Sequence, residues 1–157
     1  MFASVSGSET IRSRPQAFIA AFVRRIEDGL LRGGSPVRSR YRVTRQTADA
    51  LEFRAINWLT AFNVGLNEVE LAISPDGRLQ FMIRYPRWAG YCLALGAAFG
   101  IAFIVMLLAL GIREPLAWAM GLFWGFVWPW LLILLHRGPL RGLMKRLIAE
   151  VDSAALL

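Results

Sequence analysis

Two long apolar runs, separated only by the pair Arg113-Glu114, limit what this chain can fold into more than any other feature. Residues 88–112 and 115–136 hold no charged side chain, and the one histidine, His136, stands at the very end of the second run. At 1.5 Å per residue they measure roughly 37 and 33 Å as helices, enough to cross a hydrocarbon core of about 30 Å. Inside lipid every backbone amide and carbonyl must be satisfied within the segment, so such a run has to be helical. Pro115, directly after the charged pair, suits a first helical position. A tight two-helix transmembrane hairpin over residues 88–136 is therefore expected. A buried helix pair in a soluble protein is the competing reading, and two uninterrupted runs in succession disfavour it.

The charge distribution orients that hairpin. Of 18 Lys and Arg and 11 Asp and Glu, residues 1–87 carry 13 Arg against 8 acids. The loop carries one of each, and residues 137–157 carry Arg137, Arg141, Lys145 and Arg146 against Glu150 and Asp152. Cations that flank the spans on one side and nearly vanish on the other are the positive-inside signature. Both termini are expected in the cytoplasm of a multi-pass protein, as in a bacterial inner membrane. The net charge of +7 is thus assigned to topology and contact with membrane lipid, and no nucleic-acid binding is expected. Arg84, Arg87 and Trp88, and His136 with Arg137, are the expected interface anchors.

Within the hairpin, Gly96 and Gly100 in the first run and Gly121 and Gly125 in the second are spaced for close helix packing. Gly100 lies 12 residues before Ile112 and Gly125 lies 10 after Pro115, so they meet at similar depth in an antiparallel pair. Pro129 removes an amide donor and crowds the carbonyl of Gly125, which predicts a kink. Trp118 and Trp130 suit an interfacial belt, whereas Trp124 is too deep for one. Trp124 and Trp128 are the candidate contacts with a partner protein.

Residues 13–87 read as a small cytoplasmic α+β unit behind a flexible tail, 1–12. Met1–Thr10 lacks the apolar core expected of a secretory leader. Ser13 offers an N-cap and Pro15 an early-helix proline. Phe18, Ile19, Phe22, Val23, Ile26 and Leu30 then form a helical stripe that Gly33–Gly34 is expected to close. From Ser39 the period becomes two: Tyr41 and Val43, then Leu51, Phe53 and Ala55, alternate with polar residues around a turn at 47–49. Ser74-Pro75-Asp76-Gly77-Arg78 is the chemistry of a three-residue hairpin with a left-handed glycine. Its register sets Ile73 opposite Leu79, Leu71 opposite Phe81 and Val69 opposite Ile83, with Glu68 opposite Arg84 on the other face. The linking stretch, which includes Trp58, Leu59, Phe62 and Val64, follows neither period. A four-stranded antiparallel meander results.

In the last segment, 137–157, Gly138-Pro139 punctuates the chain. Leu140, Leu143, Met144, Leu147, Ile148 and Val151 then form an amphipathic helix, at the membrane surface or packed on the sheet.

The chemistry of catalysis is sparse. The single Cys92 and single His136 belong to the spans, no G-x-S-x-G, phosphate loop or metal-ligand spacing occurs, and Glu68 and Glu70 have arginines to balance them. No cofactor, metal or catalytic residue is assigned, and the chain is not expected to be an enzyme. Ion transport would require ionisable groups within the spans. The expected function is a membrane-anchored accessory or interaction protein that binds a protein through its second span or its sheet. The alternative is a module for lipid or an apolar small molecule. In that reading Tyr41, Val43, Leu51, Phe53, Leu71, Phe81 and Ile83 line a cup that opens to the bilayer.

Overall fold

A computed structural model describes residues 3–31, 40–58, 60–61 and 65–156. Among these, five strands form one antiparallel sheet in the order β1-β5-β4-β3-β2. They are β1 (Ser4–Thr10), β2 (Tyr41–Gln46), β3 (Ala50–Ala55), β4 (Glu68–Ile73) and β5 (Arg78–Arg84). The helices are α1 (Pro15–Glu27), α2 (Pro86–Ala109), α3 (Pro115–Leu122), α4 (Trp128–Leu135) and α5 (Arg137–Ala155), with one π turn, Phe123–Val127, joining α3 to α4.

The tight hairpin has the register its turn chemistry requires. Ser74 and Arg78 close it, with Gly77 at φ +75° donating to the Ser74 carbonyl at 2.9 Å. Ile73, Leu71 and Val69 face Leu79, Phe81 and Ile83. Glu68 does lie opposite Arg84, but the Arg84 guanidinium pairs with the diagonal neighbour Glu70 at 2.7 Å. Arg84 is long enough to reach that neighbour across the face.

The sheet gains a fifth strand from residues expected to be a loose tail. β1 pairs with β5 from Ser4 opposite Arg84 to Thr10 opposite Arg78. Of its inward positions only Val5 is apolar. Gly7 faces the ring of Phe81, which leaves no room for a Cβ, and Glu9 is met by Lys145 at 2.7 Å. β1 and β2 occupy opposite edges, so the helix between them must cross one face of the sheet.

α1 makes that crossing with Phe18, Ile19, Phe22 and Ile26 buried. It ends earlier than its apolar stripe suggests: Gly29 takes φ +71°, and Leu30, expected in the stripe, is exposed while Leu31 is buried. Gly33–Gly34, Ser39, Leu59, Phe62 and Val64 lie outside the described residues. The N-cap is Arg14 rather than Ser13, because the Ser13 hydroxyl is committed elsewhere.

That commitment is to α5, which runs beside β1 and α1 over the same face. Leu140, Met144, Leu147, Ile148 and Val151 are all buried in the common core. Burying each stabilises the fold by about 1.5–3 kcal/mol, against at most about 1 kcal/mol for a surface pair such as Lys145–Glu9. The apolar stripe of α5 is therefore spent on protein packing and is not free to lie on a membrane. Gly138-Pro139 falls inside the first turn of α5, and the break comes one residue earlier than Arg137, at His136.

Asp152 fastens the far end. Its carboxylate accepts the Ser13 hydroxyl at 2.6 Å, the Ser13 amide at 2.9 Å and the Arg12 amide at 3.0 and 3.1 Å. Burial acts to raise the Asp152 pKa. The hydrogen bonds from Ser13 and Arg12 and the charge of Arg12 outweigh it, and the net shift is downward from 3.8. A depressed carboxylate contributes stability above its unfolded value and loses it as pH falls through the folded one. Asp152→Asn should therefore cost about 1.5–3 kcal/mol at neutral pH. Measured as unfolding midpoint against pH, the gap from wild type should close below about pH 3.8. A gap that stays constant down to pH 2 would show that the carboxylate's charge contributes nothing.

Candidate functional site

Two helices among the described residues are long and apolar enough to cross a membrane: α2, and the continuous run Pro115–Ala155 whose apolar part is α3 through α4. α2 begins at Pro86 and ends at Ala109, and Gly111, φ +64°, turns the chain away, with Ile112 donating to the Leu107 carbonyl at 3.0 Å. Trp118, at the loop end, donates its indole N–H to the Ile112 carbonyl at 3.0 Å.

The four glycines face the partner helix. A Cβ on Gly100 would stand 2.8 Å from the Cα of Gly125, so the two backbones touch there. Gly121 packs under the ring of Phe103. Gly96 lies against the ring of Pro129, and its missing Cβ would sit 2.9 Å from the Gly125 carbonyl oxygen.

The expected kink takes a particular form. The turn before Pro129 widens to a π turn, in which the Trp128 amide donates to the Phe123 carbonyl, five residues back. Widening relieves the clash between the proline ring and the preceding turn. It leaves the Gly125 carbonyl beside Gly96, where small residues permit weak contacts between Cα–H and carbonyl groups.

The π turn also re-aims three aromatic side chains. Trp124 and Trp128 sit 5.1 Å apart edge-on, with Phe123 at 5.6 and 6.2 Å from them. Trp124 is 51% exposed, Phe123 38% and Phe126 42%, so the cluster forms an open surface on the outside of the hairpin. Beside it lies an apolar crevice of about 180 Å³, lined by Trp124, Met120, Phe99 and Phe103 over a floor of Gly100, Gly121 and Gly125. Trp124 lies about 14 Å along the helix from Pro115, near mid-span. Among the described residues neither Trp124 nor Trp128 has an acceptor for its indole N–H.

The expected anchors are distributed differently. Trp88 and His136 stack on each other, centroids 3.9 Å apart and 9° between planes, with Tyr85 edge-on to both. The Tyr85 hydroxyl donates to the Ile133 carbonyl at 3.2 Å. His136 is thus packed between the hairpin and the sheet, with Gly65 against its Nε2. Arg87 donates to the Ala55 carbonyl at 3.3 Å, and Arg137 lines a cavity with Arg141. Asn67, unremarked in the sequence, is fully buried, donates to the Ala61 carbonyl and caps α2 by accepting the Trp88 amide at 3.1 Å. Tyr85 directly precedes Pro86, and a proline at the entry to an apolar run is the one signal that marks it; Asn67 carries no such signal.

The candidate cup is filled. Tyr41, Leu51, Phe53, Leu71, Phe81 and Ile83 are buried and Val43 packs against them, all within the core that α1 and α5 cover. Two helices supply the apolar side chains that cover these residues, so among the described residues they form core and line no open cup. Among the described residues no cluster of His, Cys, Asp or Glu could hold a metal ion.

The glycine seam yields a direct expectation. Gly100→Leu forces a side chain into a backbone contact and should destabilise the hairpin by about 1–3 kcal/mol. Gly90→Leu, where nothing lies within 4 Å, should change little. Detergent titration followed by tryptophan fluorescence checks this, and equal midpoints for the two variants would refute the seam. In comparison with known proteins, no family model, curated protein or solved structure matches this chain.

Proposed function

We propose that the chain is a membrane-anchored accessory protein that docks a partner protein within the bilayer. In this reading α2 and the α3–α4 run cross the membrane, as in a bacterial inner membrane. The sheet, α1 and α5 then stand in the cytoplasm beside the Arg-rich ends. The observation that carries the docking half is the cluster of Phe123, Trp124 and Trp128, near mid-depth on the outside of the hairpin, where neither indole N–H has an acceptor among the described residues. Lipid tails offer no acceptor, so an indole at that depth favours a protein surface that supplies one. The crevice floored by Gly100, Gly121 and Gly125 suits a single side chain projecting from a neighbouring helix.

Catalysis has less support. His136 is enclosed between Trp88 and Gly65. Cys92, in α2, lies on a different element from every carboxylate of the sheet.

Topology is tested first. Cysteines introduced as Ser6→Cys and Ala155→Cys should be shielded from an impermeant thiol reagent in intact cells, and Glu114→Cys should label. Labelling of one terminus alone would exclude the hairpin. Docking is tested by changing Trp124 and Trp128 together to Leu. The variant should remain in the membrane and lose proteins that co-purify with wild type in mild detergent. Retention of every such protein would leave the cytoplasmic unit as the binding surface.

A further inference from the structure

A cavity of about 330 Å³ lies where β1 meets the start of α5, lined by Ser4, Val5, Ser6, Arg137, Gly138 and Arg141. Its two cations stand one helical turn apart, about 6 Å along the axis, and among the described residues no carboxylate lines it. The Arg141 guanidinium is fixed by donation to the Ser6 carbonyl at 2.7 Å. In an antiparallel strand the amide and carbonyl of one residue point to the same side, so the Ser6 N–H also faces outward at this edge.

The position of the cavity is as informative as its charge. Ser4 pairs with Arg84, two residues before α2 begins at Pro86, and Arg137 comes two residues after α4 ends at Leu135. Both walls thus stand where the chain leaves the hairpin. If the hairpin crosses a bilayer, as proposed above, the cavity opens at the level of the lipid headgroups.

We infer that this cavity binds the phosphate of an anionic phospholipid headgroup, held by the guanidinium groups of Arg137 and Arg141 and the Ser6 amide. Guanidinium groups match phosphate oxygens in pairs, and basic pockets just cytoplasmic of a span favour anionic headgroups. A zwitterionic headgroup brings its own ammonium toward the two arginines and is the poorer fit. The site is separate from the aromatic surface of the second span, and it rests on the membrane reading but not on partner docking.

The test uses the full chain purified in a neutral detergent, with its unfolding midpoint followed as lipid is added. Phosphatidylglycerol should raise the midpoint by roughly 5 °C at saturation, and phosphatidylcholine should not. Changing Arg137 and Arg141 together to Gln should abolish the rise. Changing Arg42 and Arg54 together to Gln, which removes equal charge from the far side of the sheet, should preserve it. Should the first double variant fail to fold, Ser6→Glu supplies a second arm: it leaves the backbone contact to Arg141 intact and places a carboxylate at the rim, and it too should abolish the rise. Equal response to phosphatidylcholine, or persistence of the rise in the Arg137/Arg141 or Ser6 variants, would overturn the site. An equal rise with inorganic phosphate at the same phosphate concentration would overturn the lipid as its source. Release of the chain from membranes by alkaline carbonate would remove the membrane reading beneath the proposal. A carbonate-resistant chain with no preference for phosphatidylglycerol would remove the headgroup site alone.

Discussion

The ring contact of Tyr85, Trp88 and His136 is the point on which the rest of this structure depends. The chain leaves the sheet for the hairpin once, at Tyr85-Pro86, and returns once, at His136-Arg137. Both crossings pass through one aromatic cluster around the buried Tyr85, in which Trp88 stacks on His136 and Tyr85 reaches the Ile133 carbonyl. Asn67 adds a cap on the first turn of α2 from the sheet side. Aromatic stacking and two hydrogen bonds thus fix the angle at which the hairpin meets the sheet, and with it the path of α5. Where α5 begins then decides which residues it can lay beside β1. Arg141 reaches Ser6, Lys145 reaches Glu9, and Asp152 reaches the loop after β1, in step along both elements.

Much of this was legible in the sequence because local chemistry and long-range packing agree. The turn at Ser74–Arg78 names its own register, since a glycine at positive φ, alternating apolar residues and a charge opposite Arg84 all require the same pairing. The glycines of the two apolar runs were legible for a similar reason: similar depth in an antiparallel hairpin follows from counting residues, and Gly100 and Gly125 do touch there. Pro129 announced a distortion, although only the structure resolves it into a widened turn.

What could not be read has physical causes too. β1 offers one apolar inward residue, Val5, because Gly7 makes way for the ring of Phe81 and Glu9 is neutralised by a lysine more than a hundred residues away. Its alternation is completed by tertiary partners, which period-counting does not see. Helix α1 stops at Gly29 although the apolar spacing continues to Leu30, so a backbone conformation overrode the side-chain pattern. The two arginines of the β1–α5 cavity stand out in the sequence only as part of a basic stretch. Their common orientation comes from the helical turn between them and from an edge strand that was not expected. The residues of the expected cup were rightly placed on the apolar face, and the two amphipathic helices legible in the sequence, α1 and α5, cover it.

One feature of the architecture bears on how the molecule is made. The sheet's apolar face is shared between α1, synthesised before the hairpin, and α5, synthesised after it. Until α5 has emerged from the ribosome, Phe81 and the β1 side of the face have no cover, and Ser13 has no carboxylate to accept its hydrogen bonds. If the hairpin crosses a bilayer, as proposed above, a nascent chain whose second apolar segment failed to turn back would carry an exposed hydrophobic surface on one side and α5 on the other. On that reading, completion of the small domain would depend on correct insertion, and the exposed face of a misinserted chain would be the kind of surface that quality-control proteases and chaperones recognise. The split of one core across a hairpin makes biogenesis self-reporting.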